Sequence, residues 1–307
     1  MAYGGMLGEG WTVHGFRDQD DVPDDVAAEA EFVMAAASQT VDGSLLARAA
    51  KLRLVQVPGH GFDHVDMAAC AAAGVPVCTV ASSGAESHTV AELALLLAGV
   101  ASRKVLAGDA MVRSGEWSKD PMYLMEIGEL AGKTLGIVGY GRIGRELAKR
   151  ARAFDMRVMY FDVVQPSDDD APEFLELDKL LAVSDVVSLH APLTSSTRHL
   201  INDETISKMK NTAVLVNTSR GPLVDADALA RALQSRRIRA AAIDVFDPEP
   251  PPADSPLLGL DNVVLSPHMA GVTQESVLRI VAAALENIQR TARGEEPHDV
   301  VTAGEEH

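Results

Sequence analysis

Short apolar runs alternate with helix-like segments along most of the chain. Runs bounded by turn residues predict buried strands, and apolar positions at helical spacing predict the helices between them. Before residue 85, strands are expected at residues 11–16, 32–36, 52–57 and 76–80, and helices at residues 44–50 and 65–73. A strand–helix alternation of this kind predicts a parallel sheet covered by helices.

A long helix, predicted over residues 86–103 with a helical continuation to 113, precedes a second alternation. Strands are expected there at residues 134–138, 157–161, 185–190, 213–217, 240–244 and 262–265, with helices at 177–182, 203–208 and 226–235. An amphipathic helix over residues 273–293 ends the pattern. The sequence therefore predicts two domains: residues 1–100 completed by 273–307, and residues 101–272 with about six strands.

The turn between the first two strands of the second alternation carries Gly139, Gly141 and Gly144, and Asp162 ends the next strand. In such a strand–turn–helix the first glycine allows the tight turn, the second lets the backbone approach a pyrophosphate, and the third permits close helix packing. The helix N-terminus attracts the phosphates. An acid about 20 residues later can bond the adenosine ribose and would repel the 2′-phosphate of NADP. The motif predicts an NAD site on a Rossmann sheet.

Three polar residues follow predicted strand ends, where ligands bind in open α/β sheets. Arg220 can hold a carboxylate through two parallel bonds, His268 is a natural proton donor near neutral pH, and Glu249 can orient that imidazole. Each residue also has a structural reading: a salt-bridge arginine, a solvated glutamate and a loop or capping histidine. Their shared location beside a nucleotide site favours hydride chemistry on a carbonyl.

Segments 132–144, 189–194, 216–221, 242–246 and 266–268 together resemble the D-isomer-specific 2-hydroxyacid dehydrogenase family. The resemblance runs from about residue 30 to 293. It implies two Rossmann-like or flavodoxin-like α/β domains with parallel sheets, an active site in the cleft between them, and a homodimer. It also implies that Arg220, Glu249 and His268 are catalytic, with a small D-2-hydroxy acid or 2-oxo acid as the anionic substrate.

The same resemblance implies a set of contacts to NAD. The residues expected to make them are Gly139, Gly141, Arg142, Ile143, Gly144, Asp162, His190, Ala191, Pro192, Thr218 and Asp244. Arg142 and Ile143 would offer backbone N–H groups to the pyrophosphate, and Asp244 would lie near the nicotinamide amide.

In the first domain, the loop with Gly59, His60 and Gly61 matches the family loop whose N–H groups bind the substrate carboxylate. His60 departs from the family, which usually has a small apolar residue there. It either contacts an unusual substrate with a second anionic group or points to solvent. Glu86 and His88, at the start of the long helix, either line the cleft or cap that helix.

A second departure lies at the N-terminus. Family members usually have a strand and a helix before the strand expected at residues 11–16, and here only ten residues precede it. Either the given start is late, or the domain closes differently, through its dimer partner.

Composition and charge argue against several classes of function. A net charge of −17 without a Lys/Arg cluster argues against a nucleic-acid partner. The longest apolar stretch, residues 90–100, carries Glu92 and is too short to span a membrane. Cys70 and Cys78 suit small buried positions, and no signal-peptide pattern is present, so a cytoplasmic location is expected. No metal site is expected.

Three functions are compatible with these residues. The leading one is an NAD-dependent oxidoreductase of glyoxylate, hydroxypyruvate or phosphoglycerate-like acids. A phosphonate or phosphite dehydrogenase is suggested by His60 in the anion loop. An NAD(H)-sensing, corepressor-like protein would use the same fold, although it need not keep Arg220, Glu249 and His268.

Overall fold

The computed structural model describes residues 6–36, 39–117, 127–164 and 171–301. The chain forms two compact units. The first unit comprises Met1–Glu86 and Val272–His307, and the second comprises Ser87–Gly271.

Both units are α/β. The strands of the described residues are Phe32–Met34 (β1), Leu54–Gln56 (β2), Val77–Cys78 (β3), Thr134–Val138 (β4), Arg157–Phe161 (β5), Glu173–Phe174 (β6), Val186–Leu189 (β7), Val214–Asn217 (β8), Ala240–Ile243 (β9), Val263–Leu265 (β10) and Val300–Val301 (β11). The helices are Asp24–Glu29 (α1), Gly43–Arg48 (α2), Met67–Ala73 (α3), Ser87–Arg103 (α4), Val105–Arg113 (α5), Arg142–Ala153 (α6), Leu177–Val183 (α7), Asp203–Lys208 (α8), Ala226–Gln234 (α9) and Gln274–Ala292 (α10).

The second unit is built on a parallel sheet with the strand order β10-β9-β8-β7-β4-β5-β6. Strand β4 is buried along its whole length, which its apolar sequence predicts for a central parallel strand. The six strands predicted for this region are confirmed. The sheet has a seventh strand, β6, which the sequence did not indicate because it is only two residues long and partly exposed.

Helix α4 belongs to the second unit. Its alanine-rich face, with Ala91 and Ala94, packs in one core cluster with Leu135 of β4 and Leu147 of α6. The small side chains allow close approach of the helix to the sheet. The two compact units therefore divide after Glu86, whereas the sequence pattern placed the boundary after residue 100.

The first unit has a four-stranded sheet with the order β1-β2-β3-β11. The first three strands run parallel, as predicted, and β11 is antiparallel to β3, with Val300 paired to Cys78. The predicted C-terminal helix is confirmed as α10, whose start is fixed by a capping box at Thr273 and Ser276. Its apolar face packs on Leu54 and Cys78.

The strand predicted at residues 11–16 is wrong. This segment has no ladder partner among the described residues. Trp11 packs on the ring of Phe32 instead, with the ring centroids 5.4 Å apart. A groove of about 790 Å³ lies along β1, with residues 11–14 and 16 among its lining. Side-chain packing without backbone pairing explains why the apolar pattern misled. The expectation that this unit lacks a strand and a helix that the resembled family usually has stays a prediction.

Both cysteines are buried free thiols, as predicted. Burial raises the pKa of Cys70 to about 11 and that of Cys78 to about 12. These thiols are therefore protonated and poorly nucleophilic at neutral pH. Among the described residues, no helix is long and apolar enough to cross a membrane.

Candidate active site

The polar residues singled out in the second unit lie at the carboxyl ends of its strands. All seven strands are parallel, so these ends meet at one edge of the sheet. Gly139 follows β4, Asp162 follows β5 and His190 follows β7. Thr218, Asp244 and the segment 266–268 follow β8, β9 and β10 in the same way. One edge therefore carries both the dinucleotide turn and the candidate catalytic residues.

His268 and Glu249 form a direct pair. The Nδ1 atom of His268 lies 2.7 Å from Oε2 of Glu249, and the other carboxylate oxygen accepts the backbone N–H of Phe246 at 2.9 Å. Both side chains are somewhat more than one third exposed. Because Glu249 binds Nδ1, the Nε2 atom of His268 is the one left for a substrate.

The pair has shifted pKa values. The hydrogen bond to Glu249 raises the pKa of His268 above its ordinary value, although burial and the nearby charge of Arg220 oppose the shift. Burial acts to raise the pKa of Glu249, but the bonds from His268 and Phe246 outweigh it and the pKa is lowered. The arrangement stabilises an imidazolium beside a carboxylate, the state that a proton donor requires.

Asp244 holds the loop that carries His268. Its fully buried carboxylate accepts N–H bonds from Met269 at 3.1 Å and Ala270 at 2.8 Å, and a short bond from the Ser266 hydroxyl. The backbone N–H of His268 also binds the Asp244 carbonyl at 2.7 Å. These bonds support the left-handed backbone of His268, with a φ of 50°. The contact predicted between Asp244 and the nicotinamide stays a prediction.

Arg220 lies in a loop that is fixed from both sides. The Asn217 amide donates to the Arg220 carbonyl at 2.9 Å, and Asn217 Oδ1 accepts from the N–H of Ser219 at 3.1 Å. Gly221 lies directly against the backbone of Phe246, leaving no room for a side chain. This contact joins the Arg220 loop to the segment that leads to Glu249. The Arg220 charge accordingly acts on both Glu249 and His268.

Asn217 is a positioning residue that no motif in the sequence indicated. It is fully buried at the end of the apolar strand β8. A polar residue closing an apolar run was the available signal, because a buried amide needs partners that only a specific loop can supply.

The glycine-rich turn has the geometry that a dinucleotide site needs. Gly139 has a φ of 93°, and a Cβ there would lie 2.6 Å from the backbone N of Ala191. Gly144 packs against the Gly139 carbonyl, while nothing fills the space beside Gly141. Helix α6 begins at Arg142, so the N–H groups of Arg142 and Ile143 lie in its first turn. The turn is thus open where a pyrophosphate would approach.

Asp162 lies beside this turn. Its carboxylate accepts the N–H of Tyr140 at 2.6 Å and that of Val164 at 3.1 Å. A carboxylate has about four acceptor sites, so two remain for ribose hydroxyls.

Two buried polar atoms at the neighbouring strand ends lack a partner among the described residues: Nδ1 of His190 and Oγ1 of Thr218. Leu189 and Asn217 are register partners, so His190 and Thr218 follow them side by side. Burial lowers the pKa of His190 to about 4, so the imidazole is neutral. Orphaned polar atoms beside a dinucleotide turn suit a polar ligand. Ala191 and Pro192 continue the same loop.

In the first unit, the predicted substrate loop follows β2. Gln56 is fully buried and donates to the carbonyls of Val57 and Thr79, which fixes the start of the loop. Gly59 accepts the N–H of Val80 at 3.1 Å and has open space beside its Cα. His60 carries a short bond from Nδ1 to Glu86. Glu86 therefore orients His60, and its expected place in the cleft or as a cap of α4 stays a prediction.

His88 contacts the neighbouring helix α6. Its Nδ1 lies 3.0 Å from Glu146 on α6, and Arg150 of α6 reaches Glu92 of α4 at 3.1 Å. His88 thus belongs to a polar network that joins α4 to α6.

Residues 93–270 match the family model described as "D-isomer specific 2-hydroxyacid dehydrogenase, NAD binding domain". That match covers more than half of the chain. The chain belongs to this family. The resemblance seen in the sequence is thereby confirmed, and the dehydrogenase is an NAD-dependent oxidoreductase acting on 2-hydroxy acids and 2-oxo acids.

Two relatives and one solved structure illustrate the similarity. The dehydrogenase is 40% identical over 267 residues to a glyoxylate reductase of Thermofilum pendens, covering 85% of this chain and 78% of that one. It is 37% identical over 265 residues to a hydroxypyruvate reductase of Thermotoga maritima, and the match covers 86% of this chain and 85% of that one. A D-lactate dehydrogenase from Aquifex aeolicus, solved with NAD and lactic acid, superposes with a TM-score of 0.82 at 32% identity, covering 93% and 91%.

Proposed function

We propose that the dehydrogenase interconverts small 2-oxo acids, such as glyoxylate or hydroxypyruvate, with the corresponding 2-hydroxy acids, in the D configuration where C2 is a stereocentre. The pairing of His268 with Glu249, under the charge of Arg220, carries the proposal. Relatives that reduce glyoxylate and hydroxypyruvate support this substrate size.

The roles of the three residues follow from their chemistry. Arg220 binds the substrate carboxylate through its guanidinium fork and polarises the adjacent carbonyl. His268 donates its Nε2 proton to the carbonyl oxygen, and Glu249 stabilises the imidazolium before transfer. In the oxidative direction the neutral imidazole takes the same proton back.

NAD fits the edge of the sheet in the second unit. NADH, when bound, supplies the hydride that reduces C2 of the 2-oxo acid. The open space beside Gly141, the spare acceptor sites of Asp162 and the orphaned atoms of His190 and Thr218 support the cofactor contacts expected from the sequence. The homodimer and the cytoplasmic location stay predictions.

An Arg220→Ala variant tests the assignment. Loss of the carboxylate anchor should lower kcat/KM for the best 2-oxo acid at least about a hundredfold, while NADH binding changes little. Steady-state NADH oxidation and NADH fluorescence titration measure the two effects. Arg198→Ala is the matched control, because Arg198 is more than half exposed and lies 3.6 Å from Asp247. Near-normal kcat/KM in Arg220→Ala would refute the role given to Arg220.

A further inference from the structure

His60 and Glu86 form a second histidine–carboxylate pair, in the first unit. The His60 imidazole bonds Glu86 through Nδ1, and the two side chains are 29% and 16% exposed. Nε2 of His60 has no partner among the described residues. The pair therefore presents one oriented, accessible nitrogen.

The surroundings hold both members of the pair in place. Before His60, the loop is anchored by the buried Gln56 and by the bond from Val80 to Gly59. Before Glu86, the Ala85 carbonyl accepts Nε of Arg279 from α10 at 3.0 Å. A hydrogen bond that joins two anchored backbone segments restricts the imidazole to few orientations.

The carboxylate of Glu86 determines which kind of ligand group His60 can bind. Glu86 is acidic and close, so a second anionic group on a substrate would approach a negative charge. A hydroxyl group meets no such penalty. It donates to a bare Nε2 and accepts from Nε2–H, so it pairs with His60 in either protonation state.

We propose that His60, positioned by Glu86, makes this dehydrogenase select 2-oxo acids that carry a hydroxyl group on C3. The inference rests on the proposed function and on the expectation that N–H groups of the loop with Gly59 and Gly61 also bind the carboxylate that Arg220 holds. C3 is two bonds from that carboxylate, so residue 60 of the same loop is placed to contact its substituent. A substrate whose C3 is an unsubstituted methyl group would leave Nε2 without its bond.

Hydroxypyruvate and pyruvate differ only by this hydroxyl and are the probes. For the full-length protein with NADH, the ratio of kcat/KM for hydroxypyruvate to that for pyruvate should exceed one. In His60→Ala the ratio should fall about tenfold, which is the typical effect of one neutral hydrogen bond. His60→Gln, which keeps a polar atom near the position of Nε2, should recover part of the ratio. His14→Ala, an exposed histidine of the same unit, is the matched control and should leave the ratio unchanged.

The Glu86→Ala variant tests whether Glu86 acts by positioning His60 or only supports the fold. A freed imidazole should raise KM for hydroxypyruvate more than that for pyruvate with little change in kcat, and Glu86→Gln should restore KM in part. If the ratio stayed unchanged in His60→Ala, even with an equal loss of kcat/KM on both substrates, the inference would be overturned and the proposed function would stand. Absence of turnover on every 2-oxo acid by the unmodified protein would overturn both.

Discussion

Two sets of hydrogen bonds hold His268, one through its backbone and one through its side chain. Asp244 and its loop fix the backbone of His268 in a left-handed conformation, while Glu249 fixes the side chain through Nδ1. The backbone contacts determine where the imidazole lies, and the side-chain contact determines its charge. The pKa of His268 is raised chiefly by Glu249, so the proton that His268 donates in the proposed mechanism is retained to a higher pH.

Replacing Glu249 with Gln should change the pH dependence of reduction. In the proposed mechanism reduction needs protonated His268, so kcat/KM should fall as the pH rises through the pKa of that residue. Without the carboxylate the pKa drops, and the decline should begin at a lower pH, with activity at the upper pH values reduced about ten- to a hundredfold. In the oxidative direction, where neutral His268 is needed, the rise should also begin at a lower pH. Rate profiles in both directions measure this.

Asp247→Asn is the control for this change, since the neighbouring Asp247 is exposed and lies near Arg198. Its profile should match that of the unmodified protein. If the Glu249→Gln profile also kept its position, the raised pKa of His268 would not be governed by Glu249.

The β4–turn–α6 element combines a steric requirement with a binding requirement. Gly139 donates to the Phe161 carbonyl at 2.9 Å and packs against the loop after β7, so its conformation and its missing Cβ are both needed for folding. Gly141 has an ordinary φ of −75° and open space beside it. The second glycine is therefore not required by the fold of the turn.

Gly139→Ala and Gly141→Ala should separate the two requirements. Gly139→Ala should lose at least about 2 kcal/mol of stability, from the positive φ and the clash with Ala191, and show a lower Tm. Gly141→Ala should keep its Tm within a few degrees and bind NADH more weakly, since a methyl group would stand where the pyrophosphate approaches. Calorimetry and NADH titration measure the two effects.

Gly259→Ala is a neutral comparison, because that glycine also faces open space and lies away from the turn. A Gly141→Ala variant that bound NADH as tightly as the unmodified protein would contradict the binding role of the turn.

The complete chain and its ligands both carry net negative charge. The net charge is −17, whereas NADH and 2-oxo acids are anions. Local groups, for which we propose the helix α6 N-terminus and Arg220, must therefore bind these ligands within a repulsive field. Repulsion at a distance acts mainly on the association rate.

Raising the ionic strength should accelerate NADH association. Screening between about 10 and 200 mM salt should raise the association rate constant about two- to tenfold, as measured by stopped-flow fluorescence. Adenosine, which is neutral, is the control ligand and should show little dependence of its inhibition constant on salt. A decrease in the NADH rate with salt would show that local positive charge controls the approach instead.

Much of the fold was predictable because parallel strands and their helices have strong local signals. The strands β4, β5 and β7 to β10 were predicted, since each is an apolar run with turn residues at its ends. The strand at residues 11–16 failed, and β6 and β11 were missed. Short edge strands depend on a backbone partner that no local pattern reveals.

The sequence by itself determined the family, the order of the elements and the chemical types at the strand ends. The glycine spacing, the arginine, the glutamate and the histidine are local, and chemistry limits what each can do. Only the tertiary structure revealed the pair of His60 with Glu86 and decided which atoms join His268 to Glu249, a pair that the sequence had suggested. Such pairs join residues far apart in the chain, so their distances follow from how strands and loops pack.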